Sequence, residues 1–299
     1  MSAAEPTGVL LLDKPAGFSS TQAMARAKRL LASRKAGHTG TLDPFATGLL
    51  PLVFGEATKF SRFLIDATKS YRATLALGET STTGDTEGEV MTVGPFEGTV
   101  AEVDEVLSRF LGAGEQLPPM HSAVHHQGRR LYDLAREGIE VERVARPIEF
   151  HAIARVALEK DRLAIDVTCG KGTYIRTLAE DIGRALGCGA YLVALRRTAV
   201  GPFRVEQAVM LEALEAAGVA GARACLAPLE VLVAGLPRLE ADEDTAWRFG
   251  NGQVVHCDGA LAGDERAVFD PSGRFLGVGR AEAPGRLAPE RLMAPPGQA

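Results

Sequence analysis

Apolar positions along this chain fall into short alternating runs and helical stripes, so strands and helices are interleaved throughout. Residues 9–12 form an apolar run, the mark of a buried strand, and Asp13-Lys14-Pro15-Ala16-Gly17 ends it with turn residues. Ser19 with Gln22 is a capping-box pair, and Ala23, Met24, Ala27, Leu30 and Leu31 follow at helical spacing, which predicts a helix to about Ala32. Residues 37–48 obey neither period and read as a polar, glycine-punctuated loop before the apolar run 49–54. Residues 69–77 alternate, with Tyr71, Ala73, Leu75 and Leu77 on one face, as in a half-buried strand. Thr99 and Glu102 cap a second helix whose stripe is Val103, Val106, Leu107, Phe110 and Leu111. Residues 130–138 predict a shorter helix ended by glycine, 148–158 and 163–169 predict strands around a turn at Asp161, and 173–186 predict a helix. A strand over 191–200 and a helix over 205–217 complete this part.

After Leu229 the pattern changes. Glycines punctuate short apolar runs such as 267–269 and 275–278, which predicts a small all-β module with a boundary near 234–237.

The chain has 299 residues, 46% hydrophobic and 24% charged, which is globular composition and excludes a wholly disordered chain. No apolar run approaches the ~20 residues that cross a bilayer, and residues 1–8 lack the basic and apolar regions of a secretory signal. The four cysteines form no C-x-x-C pair; scattered, buried thiols fit a reducing cytoplasm. The net charge of −5 argues against a polyanionic partner until its distribution is considered. Residues 13–72 hold ten basic and four acidic side chains, +6, whereas 73–120 hold one basic and nine acidic, −8. Such segregation makes a basic face on an acidic protein, unless the two segments mix in space and cancel.

Candidate chemistry concentrates in two places. Asp43 sits among glycines and hydroxyls before Pro44, in the kind of loop that presents catalytic groups, although the same pattern serves an Asx-turn. His38 lies nearby and fits an ordinary hydrogen-bonded histidine equally well. Gly170-Lys171-Gly172-Thr173-Tyr174-Ile175-Arg176 enters a helix without the Walker A order. Arg176 falls in the first turn, where the helix dipole disfavours a cation unless a carboxylate or phosphate compensates. The zinc-deaminase pair of motifs, the Gly-x-Ser-x-Gly elbow and a Rossmann glycine fingerprint after the first strand are all absent. A cofactor-free carboxylate enzyme and a non-enzyme both remain open.

The residues also resemble one family in order. Asp13-Lys14-Pro15-Ala16-Gly17-Phe18-Ser19-Ser20 and Gly37-His38-Thr39-Gly40-Thr41-Leu42-Asp43-Pro44 are similar to the two N-terminal motifs of the TruB family. The resemblance continues through Lys69-Ser70-Tyr71, Thr82-Thr83-Gly84-Asp85, Pro118-Pro119-Met120, the 170–176 segment and Leu195-Arg196-Arg197-Thr198.

It implies an α+β pseudouridine-synthase core, a mixed and largely antiparallel sheet flanked by helices, over residues 1–234. It also implies an RNA-gripping thumb over 118–147 and a short PUA-like β-barrel module over 235–299. The implied reaction is isomerisation of uridine 55 in the tRNA T-loop, by base flipping and without metal or other cofactor. In that reading Asp43 is the nucleophile, on the uracil ring or on the ribose. Tyr71 stacks on the target base and moves a proton, and Arg176 pairs with Asp43. Tyr174 and Leu195 wall the uridine pocket, His38 fills the space left by the flipped base, and Lys14 completes the substrate-binding set. In the thumb, His121 and His125 depart from the family's usual Tyr and Lys, while Arg129, Arg130, Arg136, Arg143 and Arg146 are expected on phosphates. The expected partner is a tRNA T-stem-loop bound by a monomer with no protein partner and no membrane. An RNA-binding chaperone on the same scaffold and a guide-RNA-dependent relative are the competing readings. With all the motifs before Val205, loss of the module is expected to weaken RNA binding but leave catalysis.

Overall fold

The computed structural model describes residues 5–294 apart from positions 123 and 127. The side chains of His125, Arg130 and Arg136, named above for the thumb, lie outside the described set, as do residues 1–4 and 295–299.

The core is one ten-stranded mixed sheet. Its elements in chain order are β1 (Gly8–Lys14), α1 (Ser20–Leu30), β2 (Ala36–His38), β3 (Thr47–Phe54) and β4 (Lys69–Leu77). They continue with α2 (Val100–Ser108), β5 (Gly112–Gln116), β6 (Arg146–Glu159), β7 (Arg162–Cys169), α3 (Ile175–Ala185), β8 (Ala190–Val200), β9 (Phe203–Arg204) and β10 (Val209–Met210). The strands run β10-β1-β3-β8-β4-β7-β6-β5, with β2 paired to β3 and β9 to β8. Every ladder is antiparallel except β1 with β10 and β3 with β8.

Local signals placed most of these elements. Both capping boxes form, Ser19 with Gln22 on α1 and Thr99 with Glu102 on α2. The alternation over 69–77 is β4, and its buried side packs with Leu163, Ile165 and Leu192. Four expectations change. Residues 36–38 are a short strand, because their backbone pairs with 52–54 across the loop. The second helix stops at Ser108, leaving Leu111 48% exposed rather than in the stripe. The 205–217 helix is a 3-10 turn, then β10, then a helix over Leu211–Ala216, because Val209 and Met210 pair with Leu12 and Asp13 of β1. Among the cysteines, Cys169, Cys188 and Cys257 are buried, but Cys225 is exposed.

The C-terminal residues make a five-stranded curled sheet, a half-barrel of the PUA-like kind. Its elements are β11 (Arg238–Glu240), α4 (Glu243–Gly250), β12 (Val255–His256), β13 (Glu265–Phe269), β14 (Phe275–Ala283) and β15 (Arg286–Leu292). The helix is an addition to the all-β expectation. Asp242 caps it by accepting from Thr245 N–H, and Phe249 is buried against the sheet with Val255, Val268 and Leu287. Among the described residues no helix is long and apolar enough to cross a membrane.

The basic excess over 13–72 is largely consumed inside the molecule. Arg26, Arg34, Lys59, Arg62 and Arg72 are ion-paired, and Lys14 and Lys69 are buried on backbone carbonyls. Arg29 and Lys35, beside the C-terminal end of α1, keep outward positive charge.

Candidate active site

The loop between β2 and β3 carries Asp43, and three ties fix it. Ser20, the first residue of α1, accepts the Leu42 N–H at 2.7 Å and donates to the Leu42 carbonyl at 3.0 Å. Gly17 N–H donates to the Pro44 carbonyl at 2.8 Å. Lys14 Nζ donates to the carbonyls of Phe18, Pro15 and Pro44 at 2.6, 3.0 and 3.3 Å. Lys14 therefore corrects one sequence expectation. It is wholly buried and has spent its three protons on backbone, so it supports the loop instead of facing a substrate. Burial pushes its ammonium down to about 8, with the Asp43 carboxylate opposing.

Arg176 lies in the first turn of α3 and meets Asp43 at two points. Nε lies 3.0 Å from Oδ2, and Nη2 donates to Oδ1 at 3.3 Å. The remaining donors reach the Thr83 carbonyl at 3.1 Å and the His121 carbonyl at 2.7 Å. A second carboxylate, Asp85, stands 3.7 Å from Nε and is held by the Thr83 hydroxyl at 2.5 Å and the Glu87 N–H at 3.0 Å. A guanidinium flanked by two carboxylates and two carbonyls answers the dipole penalty at this helix start. The Arg176 side chain is 4% exposed, whereas that of Asp43 is 30% exposed, so the carboxylate is the member of the pair that an incoming group can reach. Burial pushes the Asp43 carboxyl above its ordinary value; Arg176 opposes this and Asp85 adds to it.

Apolar residues surround the pair. Leu42 and Ala46 are buried in one cluster with Ile175 and Leu195, and Phe45 and Tyr71 pack against it. Leu195 of β8 stands directly opposite Ala73 of β4, two residues from Tyr71, so the predicted wall residue Leu195 and the predicted stacking residue Tyr71 share this side of the sheet. Burial pushes the Tyr71 phenol up, the neighbouring Arg197 guanidinium pulls it back, and the Asp43 charge adds to the rise. Tyr174 precedes α3, and its backbone is clamped by Gln116, whose side chain accepts at 2.8 Å and donates at 3.0 Å. His38 ends β2 where the chain enters the Asp43 loop. The structure thus joins Asp43 and Arg176 directly, packs Tyr71 and Leu195 in the surrounding apolar cluster, and buries Lys14 beneath the Asp43 loop.

Roles for Ser20, Asp85, Gln116 and Arg197 were not legible in the sequence. Ser20, Asp85 and Arg197 sit inside recognised motifs, which was the one available signal, and Gln116 lies outside them. Arg143, expected on phosphate, donates to the Pro118 carbonyl at 3.0 Å within the thumb segment, and Arg129 is paired with Glu137. Among the described residues no cluster of three or more His, Cys, Asp or Glu side chains could hold a metal ion.

Comparison with known proteins gives the same family along the chain. The model for the N-terminal domain of TruB family pseudouridylate synthases matches residues 28–175. The tRNA pseudouridylate synthase B C-terminal domain matches 176–234, and the pseudouridine synthase II TruB C-terminal model matches 237–293. The tRNA pseudouridine synthase B of Aromatoleum aromaticum is 50% identical over 287 residues, covering 96% of this chain and 92% of that protein. Its counterpart in Thiobacillus denitrificans is 51% identical over 287 residues, covering 96% of each. Among solved structures, Cbf5 in a complex with Nop10 and Gar1 is similar with a TM-score of 0.76 at 26% identity, over 97% of this chain and 86% of that one.

Proposed function

The chain belongs to the TruB family and isomerises uridine to pseudouridine in tRNA, and on that premise we propose that its target is uridine 55 of the T-loop and its nucleophile Asp43. The observation that carries the assignment is the two-point Asp43–Arg176 contact, with the arginine buried and the carboxylate partly open.

In the isomerisation the C1′–N1 bond breaks, a C1′–C5 bond forms, C5 loses a proton and N1 gains one. The balance needs no external reagent. Attack on the ribose and attack on the uracil ring both need an ionised carboxylate in a dry pocket. Arg176 supports that ionised form against the burial that opposes it. A paired base cannot reach Asp43, so the uridine is flipped into the pocket. There Tyr71 stacks on it and handles a proton, Tyr174 and Leu195 wall it, and His38 fills the vacated position. The thumb and exposed cations such as Arg29, Lys35 and Arg146 contact the T-stem-loop backbone. The protein works as a cytoplasmic monomer without a protein partner. A chaperone role alone is the weaker reading, because binding RNA does not require a buried guanidinium aimed at a half-buried carboxylate.

The test is incubation of an unmodified tRNA transcript with the enzyme, followed by carbodiimide mapping. One new stop at uridine 55, lost when that uridine is replaced by cytidine, is expected. Modification elsewhere in the tRNA would displace the T-loop assignment.

A further inference from the structure

We propose that Arg197 is a positioning residue that holds the Asp43 loop in one frame with the strand that carries Tyr71. The inference rests on the reading of Asp43 and Tyr71 as reacting groups.

Arg197 sits where the two relevant strands meet. On the antiparallel ladder between β4 and β8 it stands directly opposite Tyr71, so the two side chains rise on the same face. On the parallel ladder it is also the partner of Gly48, just after the Asp43 loop. That approach is close. Gly48 has φ +103°, and a Cβ there would lie 2.3 Å from the Arg197 carbonyl. The guanidinium then grips the loop from both sides of Asp43. Nε donates to the Leu49 carbonyl at 2.7 Å, Nη2 to the Gly40 carbonyl at 3.2 Å and Nη1 to the Thr41 carbonyl at 3.4 Å.

Charge shows that this is more than a strand tie. Arg197 is 1% exposed, and among the described residues it has no ion pair with a carboxylate. A cation buried without a counterion is costly, and an apolar side chain of similar volume would fill the space without that cost. What an apolar side chain cannot supply is a planar set of donors. That fork reaches carbonyls on both flanks of Asp43 from the ladder position opposite Tyr71. The positive charge also offsets part of the rise that burial imposes on Tyr71.

The experiment compares Arg197→Lys, Tyr71→Phe and the double variant in single turnover at saturating tRNA, with filter binding and thermal melts alongside. Arg197→Lys keeps the charge and loses the fork. Its rate is expected to fall about thirtyfold or more, with tRNA affinity within about threefold, and the double variant to lose less than the product of the two single losses. A rate within about threefold of wild type, a loss confined to binding, or independent losses that multiply would overturn the proposal. If Arg197→Lys does not fold, guanidinium nitrogen NMR on the wild-type enzyme and on Tyr71→Phe carries the test. The Arg197 Nη signals should be resolved by hindered rotation in wild type and should shift in Tyr71→Phe; unchanged signals would overturn it. Asp43→Asn separates the two readings. If that variant turns over, the site assignment itself fails; if it is inactive while Arg197→Lys is fully active, only the role of Arg197 fails.

Discussion

The ring of Phe60 meets the ring of Phe275 edge-on, with 5.2 Å between centroids. Phe60 closes the turn after β3, and Phe275 begins β14 of the C-terminal sheet, where it also packs on Phe269 at 5.4 Å. Val9, Val53 and Val200 from one side and Ala267 and Val278 from the other complete a single buried cluster. Arg62 seals its rim by reaching Glu265 and Glu290, both at 2.9 Å. The C-terminal sheet and the catalytic sheet share a core.

Removal of residues 237–299 therefore uncovers apolar surface that the core cannot rebury. The sequence alone suggested a truncated chain with residual catalysis; the shared core predicts an insoluble one, or one whose melting point falls by at least about 10 °C. Phe275→Ala in the full chain is expected to cost about 3–5 kcal/mol. Size-exclusion chromatography and a melt check both. A monodisperse truncation melting within about 3 °C of the full chain would refute the shared core.

Asp43→Asn keeps shape and capping ability but removes the anion that Arg176 faces. Single-turnover pseudouridine formation is expected to fall by several orders of magnitude. Affinity for tRNA should change by less than about tenfold, roughly 1.4 kcal/mol, by filter binding. A variant keeping a tenth of the wild-type rate would make Asp43 a turn residue only.

The direction of the Asp43 shift fixes two pH dependences. Its ionised form is lost on acidification at a higher pH than for an ordinary aspartate, about 4, so the acidic limb of the single-turnover profile lies above that value. A carboxyl whose pKa rises on folding costs stability while ionised, and that cost is relieved as pH falls through the folded value. Asp43→Asn should consequently melt no lower than wild type at pH 7, with the difference vanishing below about pH 4. Paired melts from about pH 3 to 8 measure this, and a variant that melts markedly lower at pH 7 contradicts the sign.

Lys14→Met leaves the carbonyls of Pro15, Phe18 and Pro44 without their donor. The expected cost is about 3 kcal/mol by denaturant unfolding. The catalytic rate should fall and tRNA affinity hold, because the lysine supports the Asp43 loop. Intact turnover with weakened binding would return Lys14 to the substrate surface.

Phosphate contacts should dominate tRNA binding. Neutralising about 6 phosphates costs on the order of 10³ in affinity between 50 and 200 mM salt. Charge reversal at Arg29 or Lys35, both exposed, should flatten the slope of log affinity against log salt. A slope unchanged in both would move the basic face elsewhere.

Features encoded by short-range geometry were legible before any fold was known. Ser19 with Gln22 and Thr99 with Glu102 are reciprocal caps across one helical turn, and the alternation over 69–77 needs only the two-residue period of a strand. The ordered motifs likewise placed Asp43, Tyr71 and Arg176 in one family's pattern. Tertiary structure decided whatever depends on partners distant in the chain. Val209 and Met210 abandon a helical pattern because β1 offers them a ladder. Lys14 and Arg197 look like solvent-facing cations in sequence, yet both are buried, since carbonyls of the Asp43 loop and its flanks receive their protons. Asp85 becomes a second anion on Arg176 only when the turn after β4 folds against α3. Periodicity reports which face of an element is apolar; it carries no information about which distant carbonyl, ring or charge will meet that face.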